Sequence, residues 1–180
     1  METEPHFGAR FANHMWLRKT ISKEEMGKGL WRLCCNRAQD FSTNLGPKLK
    51  ANRFLQDPSE EAPFFLETIK LHLWIISFLL RVDGDVLDVV HSIFVSSNPN
   101  ASENLTALYA LYNEACTKDK ELHSKGLMTT TLATTALRFL VGNGKPDEQN
   151  FGFLIIVETD TLISATFTAV REFRAKFDIH

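Results

Sequence analysis

Apolar residues dominate one stretch of the chain, residues 63–82, which reads PFFLETIKLHLWIISFLLRV. Thirteen of its twenty residues are large and apolar. They do not alternate with polar residues, and the run is too long for an ordinary strand, so the pattern predicts a helix that is buried on most faces. Its length alone would allow it to span a bilayer. However, Glu67, Lys70 and His72 interrupt its first half, and an ion near the centre of a spanning helix costs roughly 2.5–3.5 kcal/mol. We therefore predict the buried central helix of a soluble domain.

Helix-start signals precede this stretch. Ser22 and Glu25 have the spacing of a capping box, in which each side chain bonds to the backbone amide of the other residue. Apolar residues at steps of three and four predict a helix from there to about Ser42, stopped by the Gly46-Pro47 pair. Residues 1–21 lack a clear period, and we expect a loosely structured amino-terminal segment.

Further apolar periods follow on both sides of the central helix. Asp57 and Pro58 predict a short turn before it. We expect four later helices, which are Asp85 to Ser96, Ser102 to Ala115 with residues 118–125 as an extension, Thr129 to Val141, and Asp147 to about Phe177. The run FLIIV within the last segment could form a buried strand, but no other segment is predicted to pair with it. The sequence therefore predicts an all-α, single-domain bundle of about six helices over residues 22–180, built around residues 63–82.

Composition places the chain among ordinary globular proteins, with 180 residues, 44% hydrophobic and 23% charged. Charge is unevenly distributed, because residues 1–53 hold ten basic and five acidic side chains while residues 54–180 hold ten and seventeen. The basic third could contact an anionic partner, such as RNA or a lipid surface, or it could pair with the acidic remainder of the same chain. The candidate contacts are Phe11, Trp16, Arg18, Lys19, Lys23, Lys28, Arg32, Lys48 and Lys50.

Residues that could support catalysis do not form a recognisable pattern. The three cysteines, Cys34, Cys35 and Cys116, give no disulfide framework and suggest a reducing compartment. Basic neighbours could lower the pKa of the adjacent pair, but buried structural thiols are the favoured interpretation. The six histidines lack the i, i+4 spacing of a helical metal site, and His72 is interpreted as a core residue. We predict no catalytic centre, no metal and no cofactor.

Several short motifs resemble one protein family. The sequence has L-H-L-W at Leu71–Trp74, L-A-T-T-A-L-R at Leu132–Arg138 and G-K-P-D-E at Gly144–Glu148. Upstream, W-R-L-C-C-N at Trp31–Asn36 and the Phe54–Leu55 pair precede the central helix. In this order the motifs resemble those of the ubiquinol–cytochrome c chaperone domain, whose members are assembly factors for respiratory complex III.

The resemblance spans residues 25–175, with departures at several positions. Leu137 stands where the family has tryptophan, and the arginine after the L-H-V-W motif lies two positions later, at Arg81. Residues 118–126 replace a Y-D-E-G run. The predicted structural core comprises Trp31, Leu73, Trp74, Phe78, Leu132 and Arg138.

Membership of this family would imply a non-catalytic, all-helical chaperone on the matrix side of the mitochondrial inner membrane. Such a protein, together with a small partner protein, binds newly synthesised cytochrome b as it leaves the mitochondrial ribosome. It would contact the inner membrane peripherally and would not bind DNA. Two other classes are a general helical adaptor and a helical enzyme acting on an isoprenoid. The enzyme would require aspartate-rich metal-binding runs, which the sequence lacks.

Overall fold

The structure is a computed structural model and describes residues 19–55, 57–81, 83–101, 104–141 and 151–179. Its elements in chain order are β1 (Lys19–Ile21), α1 (Lys23–Ala51), a 3₁₀ turn (Pro58–Glu60), α2 (Glu61–Leu79), α3 (Gly84–Ser97), α4 (Leu105–Ser124), α5 (Thr131–Leu140), α6 (Phe153–Ala175) and β2 (Phe177–Ile179). The fold is an all-α, single-domain bundle, which confirms the predicted class.

Helix α2 lies at the centre of this bundle and packs against all five other helices. Six consecutive residues, 71–76, are buried, so α2 has almost no solvent-facing side. The charges in its first half are paired, because Lys70 Nζ lies 2.6 Å from Glu67 Oε1 with both side chains largely buried. The prediction of a buried central helix is confirmed, although α2 ends at Leu79 and not at residue 82. The chain turns there because the amide of Asp83 donates to the Leu80 carbonyl.

Helix α1 is much longer than predicted, since it continues through Gly46 and Pro47 to Ala51. Pro47 lacks an amide hydrogen, and a proline inside a helix costs about 3 kcal/mol or more. Leu45 and Leu49 flank it and are fully buried. Burying each leucine contributes roughly 1.5–3 kcal/mol, which is enough to offset the cost of the proline. The prediction that Gly46-Pro47 stops this helix was therefore wrong.

Two glycines of α1 allow neighbouring helices to approach its backbone closely. A Cβ at Gly27 would lie 2.6 Å from Val89 Cβ on α3, and a Cβ at Gly29 would lie 2.5 Å from Phe173 Cζ on α6. Glycine lowers helix propensity by up to about 1 kcal/mol relative to alanine. Here that loss accompanies close packing of α1 against two other helices.

The helix-start signals had mixed outcomes. The capping box of Ser22 and Glu25 is present at the start of α1, and Asp57 caps the 3₁₀ turn before α2. Asp85 does not cap α3 as predicted. It lies inside the first turn of that helix, where it forms an ion pair with Lys23. The predicted start at Ser102 lies outside the described residues, and α4 begins after Asn104, which adopts the left-handed conformation with φ of 70°.

The later helices agree with the predictions where the structure describes them, apart from small shifts of their ends. The polar stretch after Ala115 remains helical to Ser124, and Gly126, with a φ of +70°, follows the end of that helix. The run FLIIV belongs to α6 and is helical. Residues 147–150, where the last helix was predicted to begin, are not among those described.

A small parallel sheet joins the two ends of the described chain, and it was not predicted. Lys19, Thr20 and Ile21 of β1 pair with Phe177, Asp178 and Ile179 of β2. The prediction of a loose segment over residues 1–21 was therefore wrong for the last three of them, and residues 1–18 lie outside the description. Two three-residue strands so far apart in sequence leave no local pattern from which pairing could be predicted.

The predicted core residues are divided between the interior and its margin. Leu73, Trp74 and Leu132 are buried. Trp31 and Phe78 are only half-buried and pack against the outside of the core. Arg138 is half-buried on α5. These last three residues were predicted to belong to the core, but they lie at its margin.

Candidate functional site

The first candidate surface is a groove of about 530 Å³ between α1, the end of α6 and the two strands, which we call the basic groove. Its rim carries the cations Lys19, Lys28 and Arg32, and its floor is apolar. The lining residues are Lys19, Ile21, Glu25, Lys28, Gly29, Arg32, Leu33, Asn36, Phe173 and Phe177. Three of the basic residues that the sequence marked as partner contacts thus lie together on one groove.

Two of the three rim cations form no ion pair with the acidic residues that the structure describes. Lys19 and Arg32 form no ion pair with any residue that the structure describes. Lys28 pairs with Glu24 one turn earlier on the exposed surface of α1, an arrangement worth only about 0.3–0.5 kcal/mol. Glu25 is the acidic residue in the lining, and its carboxylate accepts hydrogen bonds from the amide and hydroxyl of Ser22. The rim therefore carries a surplus of positive charge.

Other predicted basic contacts are paired within the molecule. Lys23 pairs with Asp85 of α3, Lys48 with Glu158 of α6, and Lys50 with Glu61 of α2. For these three lysines the structure supports the alternative in which the basic third matches the acidic remainder of the chain. Their side chains are about half exposed, so each pair contributes little to stability. The candidate contacts Phe11, Trp16 and Arg18 lie outside the described residues.

The second candidate surface is the outward side of α6, which we call the α6 outer face. Its exposed residues are Phe153, Leu154, Val157, Thr161, Ser164, Ala165 and Thr168, none of which is charged. Phe153 and Leu154 are 57% and 80% exposed, which is high for large apolar side chains. The two acids of this part of α6, Glu158 and Asp160, are half-buried. The α6 outer face therefore presents about 23 Å of uncharged helix surface.

Threonine hydroxyls make this face less polar than its sequence suggests. The hydroxyl of Thr161 donates to the Val157 carbonyl at 2.8 Å, and the hydroxyl of Thr168 donates to the Ser164 carbonyl at 3.1 Å. Their single donors are thereby used inside the helix. A partner that covers these residues would not need to satisfy those donors, which lowers the cost of removing the face from water.

Two helical segments of the described chain, Pro58–Leu79 and α6, are long and apolar enough to cross a membrane by length and composition alone. Half of the apolar window in the first segment is buried inside the protein, compared with 28% for α6. The first therefore has the burial of a core helix. In the second, fewer than a third of the residues in the apolar window are buried, which makes the α6 outer face the more unusual feature.

A polar cluster between α2, α3 and α4 was not found from the sequence. His91 Nε2 lies 3.3 Å from both Ser77 Oγ and Tyr109 Oη. Although a serine beside a histidine can act as a nucleophile, the Ser77 hydroxyl donates to the Leu73 carbonyl at 2.9 Å. Burial lowers the pKa of His91 and raises that of Tyr109. These three side chains connect α2, α3 and α4 through hydrogen bonds. No motif in the sequence indicated that they would be neighbours.

The cysteines occupy the positions expected of structural thiols. Cys34 is 1% exposed, and burial raises its pKa well above the usual value. Its thiol lies 3.7 Å from the Ile69 carbonyl of α2. Burial also raises the pKa of Cys35, so the nearby arginines do not activate this pair. Within the described ranges, no three His, Cys, Asp or Glu side chains are grouped as they would be in a metal site.

The motifs that resemble the chaperone family lie mainly in the interior. Leu71–Trp74 is buried within α2, and the segment Leu132–Arg138 lies in α5. Tyr112 of α4 connects them, because its ring centroid lies 5.2 Å from that of Trp74 and 5.9 Å from that of Phe139. These residues specify how the helices pack, whereas Arg32, Leu33 and Asn36 of the upstream motif line the basic groove. The motif at 144–148 lies outside the described residues.

No protein-family model matches this chain, and neither a curated protein nor a solved structure matches it. The resemblance to the ubiquinol–cytochrome c chaperone domain therefore rests on the sequence motifs alone.

Proposed function

We propose that this protein is a non-catalytic assembly chaperone that holds an apolar client against the α6 outer face. The observation that carries the proposal is that face itself, with the large exposed side chains Phe153 and Leu154 at one end and no exposed charge as far as Thr168. Exposed large apolar side chains grouped on one helix face, as Phe153, Leu154 and Val157 are, are typical of protein or membrane contacts.

The energetics of such a contact favour an apolar helix as the client. Removing a leucine or phenylalanine side chain fully from water contributes about 1.5–3 kcal/mol. Beyond Val157, the exposed residues Thr161, Ser164 and Ala165 are small, so a second helix could approach the backbone of α6 closely. A newly made membrane protein exposes helices of this composition before it is assembled.

The identity of the client comes from the sequence motifs. They support the finer proposal that the client is newly synthesised cytochrome b and that the protein takes part in the assembly of complex III. On this proposal it works on the matrix side of the mitochondrial inner membrane, with a small partner protein and close to the mitochondrial ribosome.

Affinity purification from mitochondria tests both levels of the proposal. We expect cytochrome b and mitochondrial ribosomal proteins to co-purify with the wild-type chain. The double variant Phe153→Ser, Leu154→Ser should retain much less cytochrome b. The double variant Leu127→Ser, Met128→Ser is a matched control, because it removes two other exposed apolar side chains, 54% and 68% exposed, from outside α6.

The possible results test the identity of the client and the binding surface independently. If the wild-type chain retains other apolar membrane proteins through Phe153 and Leu154, the chaperone proposal stands and the assignment to cytochrome b is wrong. If both double variants retain clients equally well, the α6 outer face does not bind them. If only soluble proteins co-purify, the protein is a helical adaptor.

A further inference from the structure

The geometry of the basic groove points to a second binding site, separate from the α6 outer face. We propose that it takes an acidic amphipathic segment of a partner protein, with apolar side chains on the floor and carboxylates against the rim. The inference does not depend on the client surface proposed above, because it uses different residues.

The shape of the groove favours a polypeptide segment. Its α1 side follows Glu25, Lys28, Arg32 and Asn36, which are spaced at three and four residues and so lie along one stripe of the helix. From the first to the last, this stripe extends about 16 Å along α1. That length matches three turns of a helical segment lying beside α1, as in other helix-in-groove complexes.

The floor of the groove supplies apolar contact for such a segment. Phe173 and Phe177 are half-buried, and their ring centroids lie 5.2 Å apart. Ile21 of β1 and Leu33 of α1 complete this surface. Gly29 has no side chain between α1 and Phe173, so the ring lies directly over the helix backbone. Partly exposed aromatic rings beside an arginine are the composition found at the centres of protein interfaces.

The rim determines the charge of the segment. Lys19 and Arg32 lack acidic partners among the described residues, while the Glu25 carboxylate is occupied by its capping bonds to Ser22. An acidic segment would therefore meet two cations that form no ion pair with any described residue. Such complementarity accelerates association and selects partners by charge.

A fluorescently labelled synthetic peptide of about 14 residues, with leucine at the i, i+3, i+4 and i+7 positions and glutamate elsewhere, is a suitable probe. We expect saturable binding to the full chain that weakens as salt is raised to about 0.5 M. Reversing the rim with Lys19→Glu and Arg32→Glu should reduce affinity about tenfold or more at low salt. Phe177→Ala should also weaken binding by removing part of the floor.

Matched controls make the test specific. Lys118→Glu with Lys125→Glu reverses two exposed lysines outside the groove and should change affinity by less than about twofold. Arg32→Glu alone provides a single reversal in mid-helix if the strand variant unfolds. A peptide with serine in place of leucine should bind weakly to every variant. The Phe153→Ser, Leu154→Ser variant should bind the acidic peptide normally.

Two results would overturn the inference. One is peptide affinity that is unchanged by reversal of the rim in a variant that melts like the wild type. The other is a wild-type chain that ignores the peptide but binds phosphatidylglycerol vesicles through the same cations, which would assign the groove to a lipid surface.

Discussion

Trp74 contacts three other aromatic rings of the core. Its ring centroid lies 5.2–5.9 Å from those of Phe78, Tyr112 and Phe167, which belong to α2, α4 and α6. The indole N–H donates to Asn113 Oδ1 at 3.1 Å, so the side chain is buried without losing its hydrogen bond. The sequence predicted that Trp74 would be almost fully buried, and its 1% exposure confirms this.

Removing this ring should destabilise the protein severely. We expect Trp74→Ala to lower the free energy of unfolding by about 3–5 kcal/mol, since it leaves a cavity among three helices. Trp31→Ala is the matched control and should cost less, because Trp31 is only half-buried. Urea denaturation followed by circular dichroism would measure both. Equal losses for the two variants would contradict the central position of Trp74.

His72 combines complete burial with an ionisable ring. It is 0% exposed on α2, and its Nδ1–H donates to the Thr68 carbonyl at 2.6 Å. Burial lowers its pKa from the usual 6.5 to about 4, with a smaller opposing contribution from that hydrogen bond. Folding therefore holds His72 neutral under conditions in which the unfolded chain would protonate it.

This difference predicts a pH-dependent loss of stability. Between about pH 6.5 and pH 4 the unfolded state binds more protons at this position, so the free energy of unfolding falls as pH falls. The contribution of His72 is complete above pH 6.5, and roughly 3 kcal/mol is lost by pH 4. His72→Gln keeps a donor for Thr68 but does not titrate. The free energy of unfolding, measured for both proteins from pH 7 to pH 4, should decline less steeply for the variant. Equal declines would show that His72 does not cause this pH dependence.

At the scale of elements, the glycines of α1 show how packing overrides local preference. Gly27 faces Val89 Cβ, an atom fixed next to the backbone of α3, whereas Gly29 faces Cζ, the far end of the Phe173 ring. A methyl group added at either position gains helix propensity of up to about 1 kcal/mol. Only at Gly29 can the obstructing atom swing away.

The two alanine variants should therefore differ in stability. Gly27→Ala forces α1 and α3 apart, and overpacking of this kind costs about 1–3 kcal/mol, more than the gain in propensity. Gly29→Ala should be close to neutral. Thermal and urea denaturation of the two variants would measure the difference. A larger loss for Gly29→Ala would show that Phe173 is held rigidly against α1.

The elements also show what the sequence could and could not predict. The spacing of apolar residues was enough to predict the six helices and the burial of α2, because a packed helix places apolar residues on every turn. It failed at Pro47, where packing of Leu45 and Leu49 outweighs a local break. It also failed for β1 and β2, whose pairing depends on contacts between distant parts of the chain.

At the scale of the whole molecule, the basic residues of the amino-terminal third fall into two groups. Lys23, Lys48 and Lys50 of α1 pair with acids of α3, α6 and α2, while Lys19 and Arg32 of the basic groove form no ion pair with a described residue. The sequence could identify the basic third but not this division, because it depends on which acids fold next to which cations. The α6 outer face was not predicted for a similar reason. Its apolar residues resemble those of a core helix, and the sequence alone does not show that they are exposed.

The direct test of the account is contact between the α6 outer face and a newly made client. A photoreactive amino acid placed at Leu154 would report this contact in mitochondria that are synthesising radiolabelled membrane proteins. Met128 is the control site, since it is 68% exposed, compared with 80% for Leu154. We predict that the protein with the probe at Leu154 crosslinks to labelled cytochrome b and that the protein with the probe at Met128 does not. The absence of labelled products at Leu154, or the same products at both sites, would contradict the proposed chaperone function of this face.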